Sequence, residues 1–461
     1  MTQQIPVDHH RQLIGPRATV VIVNYNGYPY VQACLNALRG DPEFDLPIVV
    51  VDNASHDNSV SRLSSEFPSV RFIAAESNLG FAAGNNRVLR ELDTPFVILL
   101  NPDTIPQPGA LNLLIDFLDD PSHSAAASAC AKVVFIPKFA VIPIEAPPFF
   151  PGGADSRELG IMIHAAYIND ENVFHQLPET NSTYRKERTR NSSFKWARWT
   201  KPSAEVIIPI PESILLSDED LELRLLCSTN EDKIVSINGI DHHIGANDAW
   251  LPPIHLDRND LYDVINSCGG YMTNDGFGGD VGFWTVDRDQ YQAPREVFSG
   301  GGSAVAIRTS CGDAVDWFDD DLFLYYEDTD LAWRLRLCGW KNYAVPKAVV
   351  RHHHSVLTNE GSDFWLFHVE RNRVLILLRN ATWPLAGTAL RSYLKDYGRY
   401  GVETLRLIVK GKKPGSFRFR VRTKVLVSLI GRLPSTLMKR ARDSKRNSVS
   451  RSVVNLDWDK A

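Results

Sequence analysis

Two groups of polar residues in this sequence could carry out chemistry, and the first follows four apolar stretches near the start of the chain. The four polar segments read NYNG (24–27), DNASHD (52–57), ESNLGFAAGNN (76–86) and NPDT (101–104). Their side chains offer hydrogen-bonding groups for a nucleotide and the oxygen ligands that Mg²⁺ and Mn²⁺ prefer. Each segment also has a structural explanation, because Asn, Asp, Gly and Pro favour turns.

The second group comprises Glu327, Asp328 and Asp330, which lie together at the start of a predicted helix. Closely packed like charges raise the pKa of one carboxylate, which suits a general base. The structural alternative is that the helix dipole stabilises acidic residues at this end, with Arg334 pairing with Asp330 one turn later. Three histidines, 352–354, follow a predicted strand and are either a surface cluster or metal ligands.

Alternating strand and helix patterns position these residues. Continuous apolar strands are predicted at 18–24, 47–52, 70–75 and 96–100, with amphipathic helices between them. This α/β pattern predicts a mainly parallel sheet covered on both faces, in which ligands bind at the carboxyl ends of the strands. The four polar segments should therefore meet at one edge of the sheet.

The same patterns divide the chain into four regions. Residues 1–134 and 256–381 follow the α/β pattern. Residues 135–255 are rich in proline and in short strand patterns, and predict a β-rich insertion, such as a small sandwich, whose role the sequence does not assign. Residues 382–461 form a basic tail that is predicted to be helical.

Composition and charge restrict the class of protein. The six cysteines are scattered without a CxxC pair, which favours reduced thiols in the cytoplasm. The first residues lack the pattern of a signal peptide, and no uncharged apolar run approaches the roughly 18 to 20 residues that span a bilayer. Residues 391–446 hold 17 Lys and Arg against 3 Asp and Glu, a local charge of +14, whereas the remainder carries −19. Such a tail could bind an anionic membrane or nucleic acid, or pack against the acidic body.

Seven motifs in order resemble those of inverting family-2 glycosyltransferases. Four are in the first half of the chain: VVIVNYNG, VVVDNASHD, NLGFAAGNN and LLNPDT. The later FSGGGSAVAIR, YYEDTDLAWRLRLCGW and RHHHS are similar to acceptor-side motifs of that family. The NPD form of the fourth motif is shared with a rhamnosyltransferase-like subgroup. The resemblance covers residues 18–134 and 265–381, and it implies the GT-A fold, a Rossmann-like nucleotide-diphospho-sugar transferase fold.

The resemblance also implies roles for individual residues. It assigns donor binding to Asn24, Tyr25, Asn26, Asp52, Asn53, Asn78, Gly80, Phe81, Asn85, Asn101 and Asp103. It makes Asp328 the catalytic base, with Glu327 orienting substrate or scaffold. Asp103 and His352 would hold Mg²⁺ or Mn²⁺, with His354 as the alternative histidine. Gly300, Gly301, Gly302 and Trp333 would lie beside the acceptor.

Several of these assignments have alternatives in the residues themselves. Asp52 could serve only as a turn or helix cap. NLGFAAGNN could be a plain strand–loop–helix junction rather than a helix N-terminus that faces a phosphate. Trp317 and Trp333 could stack on sugars, but a buried core role fits them equally. Many relatives carry aspartate where this chain has Asn101, which leaves the metal dependence open.

The expected function is therefore inverting transfer of a sugar from a nucleotide-diphosphate donor, with dTDP-rhamnose the expected donor. A growing, lipid-linked cell-surface glycan is the expected acceptor in polysaccharide or cell-wall biosynthesis. Because such acceptors are typical of the family, the tail is expected to bind the inner face of the cell membrane and not nucleic acid. One rival is a dinucleotide-dependent oxidoreductase, but a GxGxxG is lacking after the first strand. The other is a non-catalytic saccharide-binding protein, to which the polar segment 238–250 could contribute.

Overall fold

The computed structural model describes residues 15–189, 194–354, 361–411 and 417–454. These residues form two compact units. The first unit comprises Met1–Val133, Ser267–Gly282 and Tyr291–Ala461, and the second comprises Val134–Asn266 and Phe283–Gln290.

Strands alternate with helices near the start of the chain, and short strands predominate in its middle. The first half of the chain holds β1 (Ala18–Asn24), α1 (Tyr28–Gly40), β2 (Ile48–Asp52), α2 (Ser59–Glu66), β3 (Arg71–Ala74), α3 (Gly80–Leu89), β4 (Phe96–Leu100), β5 (Thr104–Pro106), α4 (Ala110–Asp119), β6 (Ala126–Phe135), β7 (Lys138–Glu145), β8 (Met162–Ile168), β9 (Glu171–Asn172), β10 (Glu187–Arg188), β11 (Trp196–Trp199), β12 (Ser203–Ile210), α5 (Glu212–Leu215) and β13 (Leu221–Ser228). The second half holds β14 (Lys233–Ile237), β15 (Ile240–Ile244), β16 (Ala249–Trp250), β17 (Ile254–Leu256), β18 (Val264–Ser267), β19 (Gly270–Met272), β20 (Gly278–Asp280), β21 (Thr285–Val286), β22 (Arg295–Val297), β23 (Ala304–Arg308), α6 (Thr309–Val315), α7 (Glu327–Leu337), β24 (Lys341–His352), α8 (Asp363–Asn380), α9 (Trp383–Val409) and α10 (Phe417–Ser444).

A mixed sheet organises the first unit. Its strands run in the order β6-β23-β4-β1-β2-β3, with β24 joining β22 and β5. The four strands β4, β1, β2 and β3 are parallel, as predicted, and β23 runs antiparallel to β4. Continuous apolar sequences form β1, β2 and β4 because both faces of these strands are buried, which is typical of parallel strands between helices. Strand β3 is more exposed, in keeping with its place at the end of this order.

The C-terminal region is helical, as predicted. Helix α10 packs along α8, and α9 contacts both. The core that they share contains more residues of α8, including Val374 and Leu377, than of α9 or α10. Within the described part of the chain, none of the helices combines the length and the apolar character that a transmembrane span requires.

Two antiparallel sheets form most of the second unit. One has the order β10-β11-β8-β13-β16, with β17 on β13 and β9 on β8, and the other has the order β12-β7-β14-β15. Residues of both sheets, such as Ile142 of β7 and Ile163 of β8, share one apolar core. The sandwich predicted for the insertion is confirmed, because alternate residues of each sheet face this core.

Candidate active site

The carboxyl ends of the parallel strands meet at one edge of the sheet. The register pairs Asn24 with Asp52 and Asp52 with Ala74, while Leu100 lies beside Ile22. The polar segments that follow these strands therefore start at nearly the same level. Strand β23 begins at this edge too, because Ala304 pairs with Leu100 and the chain runs in the opposite direction.

Hydrogen bonds hold the segments after β1 and β2 together. The Asn24 amide donates to Asp52 Oδ1 over 2.8 Å, and the Ser55 N–H donates to Asp52 Oδ2 over 2.9 Å. Asn26 accepts a hydrogen bond from the His56 N–H over 2.7 Å. Asp52 thus helps to form the turn, and its side chain is buried. Each of its two carboxylate oxygens keeps a further lone pair that could accept a hydrogen bond from a ligand. Beside it, the Tyr25 side chain is 41% exposed.

The start of α3 is occupied by protein groups. The Gly80 N–H donates to the exposed Asn78 side chain over 2.9 Å. The N–H groups of Phe81 and Ala82 both donate to the Phe323 carbonyl, over 2.7 and 3.2 Å. The prediction that this helix end faces a phosphate is therefore wrong, because its first three N–H groups already have acceptors within the protein.

This junction instead joins α3 to the loop that precedes Asp328. Gly80 has φ +73°, and a Cβ there would lie 2.4 Å from the Phe323 carbonyl oxygen, so only glycine fits. Its carbonyl accepts a hydrogen bond from the buried Asn53 amide over 2.9 Å. Asn85, also buried, donates to the Phe81 carbonyl over 2.9 Å within α3.

Asp103 and His352 form a buried pair at the end of β4. Strand β24 pairs with β5 so that His352 lies opposite Thr104, and His352 Nε2 is 3.2 Å from Asp103 Oδ1. The NPDT turn is fixed by the Thr104 hydroxyl, which donates to the Asn101 carbonyl over 2.7 Å. The Asn101 N–H donates to the Ser303 carbonyl over 2.9 Å.

The electrostatics of this pair favour a charged carboxylate. Burial alone would raise the pKa of Asp103, but the hydrogen bond and the charge of His352 outweigh it, so the pKa is lowered. A carboxylate and an imidazole at this distance can share one divalent cation. Within residues 15–189, 194–354, 361–411 and 417–454, three or more His, Cys, Asp or Glu side chains nowhere form a group that could hold a metal. Any cation at Asp103 therefore needs further ligands from substrate or water.

Glu327 and Asp328 begin α7 in a contrasting environment. Burial, and then the neighbouring Asp328 charge, raise the pKa of Glu327 well above its usual value. Its Oε2 is buried and has no hydrogen-bond partner among the residues that the structure describes. Burial also raises the pKa of Asp328, although the Thr329 N–H and hydroxyl donate to its Oδ1 over 2.6 and 3.1 Å. A carboxylate with a raised pKa is suited to accepting a proton.

Backbone strain and one asparagine position these carboxylates. Phe323, Tyr325 and Tyr326 have φ of 66°, 69° and 67°, which bulky residues rarely adopt. Asn372 of α8 is fully buried and donates to the carbonyls of Leu322, Leu324 and Tyr325 over 2.8, 2.9 and 2.7 Å. Strain of this kind persists only where surrounding contacts enforce it, and it is concentrated at functional sites.

Asp330 has a structural role, unlike Asp328. It is completely buried and accepts hydrogen bonds from Arg334 over 2.8 Å, Arg379 over 3.1 Å and Asn380 over 2.7 Å. The two guanidinium groups outweigh the effect of burial and hold its pKa below the usual value. The helical pair of Asp330 and Arg334 is thus confirmed.

The acceptor-side role of the glycines stays a prediction, whereas Trp333 does not fit such a role. A Cβ on Gly302 would lie 3.4 Å from the Phe81 ring, so this loop lies beside α3. Trp333 is only 1% exposed and packs edge to face against Phe298 in the core. It cannot stack on a sugar, and Trp317, also 1% exposed, cannot do so either.

Comparison with known proteins agrees with this architecture. Residues 19–162 match the model of glycosyl transferase family 2. The chain is 22% identical over 396 residues to N-acetylglucosaminyl-diphospho-decaprenol L-rhamnosyltransferase of Mycobacterium tuberculosis, covering 81% of this chain and 91% of the relative. The chain contains a family-2 glycosyltransferase domain. It is similar to a rhamnosyltransferase, and the predicted GT-A fold class and transferase activity are confirmed.

Two solved glycosyltransferase structures are also similar to the chain. One is GalNAc-T7 with UDP, GalNAc and Mn²⁺, at 12% identity and a TM-score of 0.44, covering 89% of this chain but only 54% of that protein. The other is a mannosyltransferase from Pyrobaculum calidifontis with GDP-Man and Mn²⁺, at 11% identity and a TM-score of 0.38, covering 91% and 87%.

Two polar residues beside the glycosyltransferase site were missed from the sequence. Asp280 is solvent-accessible, yet it is surrounded by enough protein that burial raises its pKa to about 6, with the Asp328 charge adding to the effect. Asp280 therefore belongs to the same charged neighbourhood as Asp328, His352 and His354. Asn372 was missed because it lies between Arg371 and Arg373, and a charged stretch of helix predicts exposure rather than a buried network.

Proposed function

We propose that this glycosyltransferase transfers a sugar from a nucleotide diphosphate to a hydroxyl group with inversion, using Asp328 as the base. The observation that carries the proposal is the contrast between the carboxylates of one unit. Asp103 is kept charged beside His352, whereas burial raises the pKa values of Asp328 and Glu327. Carboxylates whose environments push their pKa values apart commonly divide acid–base and electrostatic roles.

The reaction then proceeds as a single displacement. Asp52 and Asn24 hold the nucleoside, with Asn26 and Tyr25 beside it. Asp103 and His352 would hold Mg²⁺ or Mn²⁺, which would neutralise charge on the leaving diphosphate. Asp328 removes the proton from the acceptor hydroxyl as its oxygen attacks the anomeric carbon. The bond from that carbon to the diphosphate breaks on the opposite face, which inverts the configuration.

The proposed donor is dTDP-rhamnose, and the proposed acceptor is a lipid-linked saccharide. Support comes from the name of the similar mycobacterial protein, which is a rhamnosyltransferase for a decaprenol-linked diphosphosugar. The identity of 22% supports this substrate class but leaves the particular sugar to experiment.

A thermal-shift panel tests the donor. Nucleotide sugars that differ in base and sugar are added to the full chain with and without Mn²⁺, since ligand binding to the folded state raises Tm. The proposal expects the largest shift with dTDP-rhamnose and Mn²⁺, and a smaller shift without the cation. If no nucleotide sugar shifts Tm, or if shifts are equal with and without Mn²⁺, the proposed donor site or its metal is wrong.

We further propose that the C-terminal helices attach the enzyme to an anionic membrane surface. Helix α9 exposes an apolar stripe at helical spacing: Leu394, Val402, Leu405, Ile408 and Val409. Basic residues accompany this stripe: Arg391, Lys395, Arg399, Arg406 and Lys410. An exposed apolar stripe with flanking basic residues suits adsorption to anionic lipid.

Part of α10 packs against the acidic body, which is one of the alternatives that the sequence left open for the basic tail. Lys439 Nζ lies 2.5 Å from Asp319 and 2.7 Å from Asp321, and Arg379 pairs with Asp443 over 2.8 Å. These contacts hold part of α10 on the acidic body, and the proposal assigns the lipid-facing surface to the apolar stripe of α9.

Co-sedimentation with liposomes tests the membrane proposal. Replacing Leu405 and Ile408 by glutamate should abolish sedimentation with anionic vesicles, because the charges oppose insertion of the apolar stripe. Leu216→Glu is the matched control, since Leu216 is 82% exposed but belongs to the second unit. Equal loss with the control, or sedimentation that survives the double change, would overturn the proposal.

A further inference from the structure

Basic residues of α10 contact the segment that leads into α7. We call residues 319–326 the base loop, because they end two residues before the proposed base. Lys439 Nζ lies 2.5 Å from Asp319 Oδ1 and 2.7 Å from Asp321 Oδ2. Arg432, two turns earlier on α10, also pairs with Asp321. Two cations of one helix therefore hold the start of the base loop.

The surroundings of Asp321 keep these pairs charged. Burial alone would raise the pKa of Asp321, but the hydrogen bonds from Lys439 and Arg432 outweigh it, so the pKa is lowered. A lowered pKa keeps the carboxylate ionised at neutral pH, so its attraction to the two cations of α10 is retained there.

A buried set of ion pairs shares Asp319 with these contacts. Arg379 of α8 pairs with Asp319 and with Asp443 of α10, each over 2.8 Å. It also pairs with Asp330 of α7 over 3.1 Å. None of these four side chains is more than 9% exposed. Because loss of one partner from a buried network leaves an uncompensated charge, the network holds α7, α8, α10 and the base loop in one arrangement.

The end of the base loop is strained. Phe323, Tyr325 and Tyr326 have φ between 66° and 69°, a conformation that bulky residues rarely adopt. Asn372 of α8 and the first N–H groups of α3 hold this end through its carbonyls. Strain of this kind persists only where surrounding contacts enforce it. A base loop that loses its contacts with α10 can therefore relax, and Asp328, two residues after Tyr326, would move with it.

We propose that Lys439 is a positioning residue for the transfer reaction, which acts through the base loop on the carboxylate of Asp328. The inference rests on the proposed role of Asp328 as the base. A displacement of about 1 Å at a reacting group can lower a rate by about 10²-fold, so a restraint on the base loop affects the rate of transfer. Helix α10 then contributes to transfer itself, in addition to any role of the tail at a membrane.

Three substitutions in α10 of the full-length protein test the proposal. Lys439→Met removes the charge but keeps an unbranched side chain, and Lys439→Arg keeps the charge. Arg422→Met is the matched control, since Arg422 pairs with Glu370 of α8 over 2.7 Å and its described side-chain contacts do not include the base loop. The control breaks an ion pair of α10 but leaves the restraint on the base loop intact. Thermal melts show that each variant is folded at the assay temperature.

Steady-state transfer is measured with dTDP-rhamnose and a short-chain, water-soluble analogue of the lipid-linked saccharide, so that membrane binding does not contribute to the rate. We expect Lys439→Met to lower kcat at least tenfold and to leave the KM for the donor within twofold, because other residues bind the donor. Lys439→Arg should recover at least half of kcat. Arg422→Met should keep kcat within twofold of the unmodified protein.

Asp328→Asn, measured in parallel, separates failure of this inference from failure of the proposed function. If Asp328→Asn retains transfer, or if the unmodified protein has none, the proposed function is wrong and the inference is overturned with it. If Asp328→Asn abolishes transfer but Lys439→Met keeps its kcat, or loses no more than Arg422→Met does, the inference alone is overturned.

Discussion

The Asp103 corner and the Asp328 corner of the first unit, each defined by the neighbours of that carboxylate, shift its pKa in opposite directions. Asp103 lies after a parallel strand, and the histidine beside it on β24 lowers its pKa. Asp328 lies at the start of a helix next to a second buried carboxylate, and burial raises its pKa. The comparison teaches that the partners of a carboxylate, rather than its depth, decide whether it stays charged or accepts a proton, since both lie in protein-rich surroundings.

A third carboxylate sharpens this contrast. Asp330 is only two residues from Asp328 and is more deeply buried, yet its pKa is lowered because Arg334 and Arg379 donate to it. Neighbouring positions on one helix therefore provide a candidate base and a structural ion pair.

Loss of the proposed base should have the largest effect. Asp328→Asn keeps the shape of the side chain but removes the proton acceptor, so the transfer rate should fall by about 10³-fold. Steady-state kinetics with saturating donor measures this. Donor binding is the internal control and should be retained. Transfer that survives the substitution would remove Asp328 from the mechanism.

Loss of the proposed metal ligand Asp103 should have the next largest effect. Asp103→Asn removes the charged ligand, so transfer should fall by about 10²-fold and the Mn²⁺-dependent part of donor binding should disappear. Calorimetric titration of the nucleotide diphosphate, with and without Mn²⁺, checks this. Persistence of a full Mn²⁺ effect in the variant would place the cation elsewhere.

The junction between α3 and the loop before Asp328 should depend on Gly80. Gly80→Ala places a Cβ 2.4 Å from the Phe323 carbonyl oxygen in a left-handed conformation, so the free energy of unfolding should fall by about 3 kcal/mol. Gly301→Ala is the matched control, since Gly301 has φ +65° but no described neighbour within 4 Å of its Cβ position, and should lose only about 1 kcal/mol. Denaturant titration compares the two. Equal losses would show that backbone strain, and not the close approach to Phe323, makes glycine necessary.

Glu327 should produce the smallest effect, which is a change in the pH dependence of stability. Because its folded pKa is raised, its contribution to stability is fully present below its unfolded pKa and is lost as pH rises through the folded value. Glu327→Gln removes this loss, so the Tm of the variant minus that of the unmodified protein should increase from pH 5 to pH 8. Thermal melts across this range measure the difference. A constant difference would contradict the raised pKa.

Sequence patterns predicted the donor half of the fold well because its strands are buried on both faces and are therefore continuously apolar. They predicted that the strand ends would meet, since parallel strands end at one edge. The α9 and α10 helices were indicated only as a basic helical tail, because the ion pairs of α10 with Asp319 and Asp321 join residues more than a hundred positions apart.

Other features could not be read from the sequence for physical reasons. The motif NLGFAAGNN could be a phosphate site or a junction, and only the position of the Phe323 carbonyl decides that its N–H groups are occupied. Trp333 has the type of side chain that stacks on sugars, and only its packing against Phe298 excludes that role.

The most direct test of the division between the two corners is donor binding by the Asp328→Asn and Asp103→Asn variants under identical conditions. Calorimetry with the nucleotide diphosphate in the presence of Mn²⁺ gives one affinity for each variant. We expect Asp328→Asn to bind like the unmodified protein, whereas Asp103→Asn should bind at least tenfold more weakly. Equal loss in both variants, or loss only in Asp328→Asn, would contradict the division of roles between the two carboxylates.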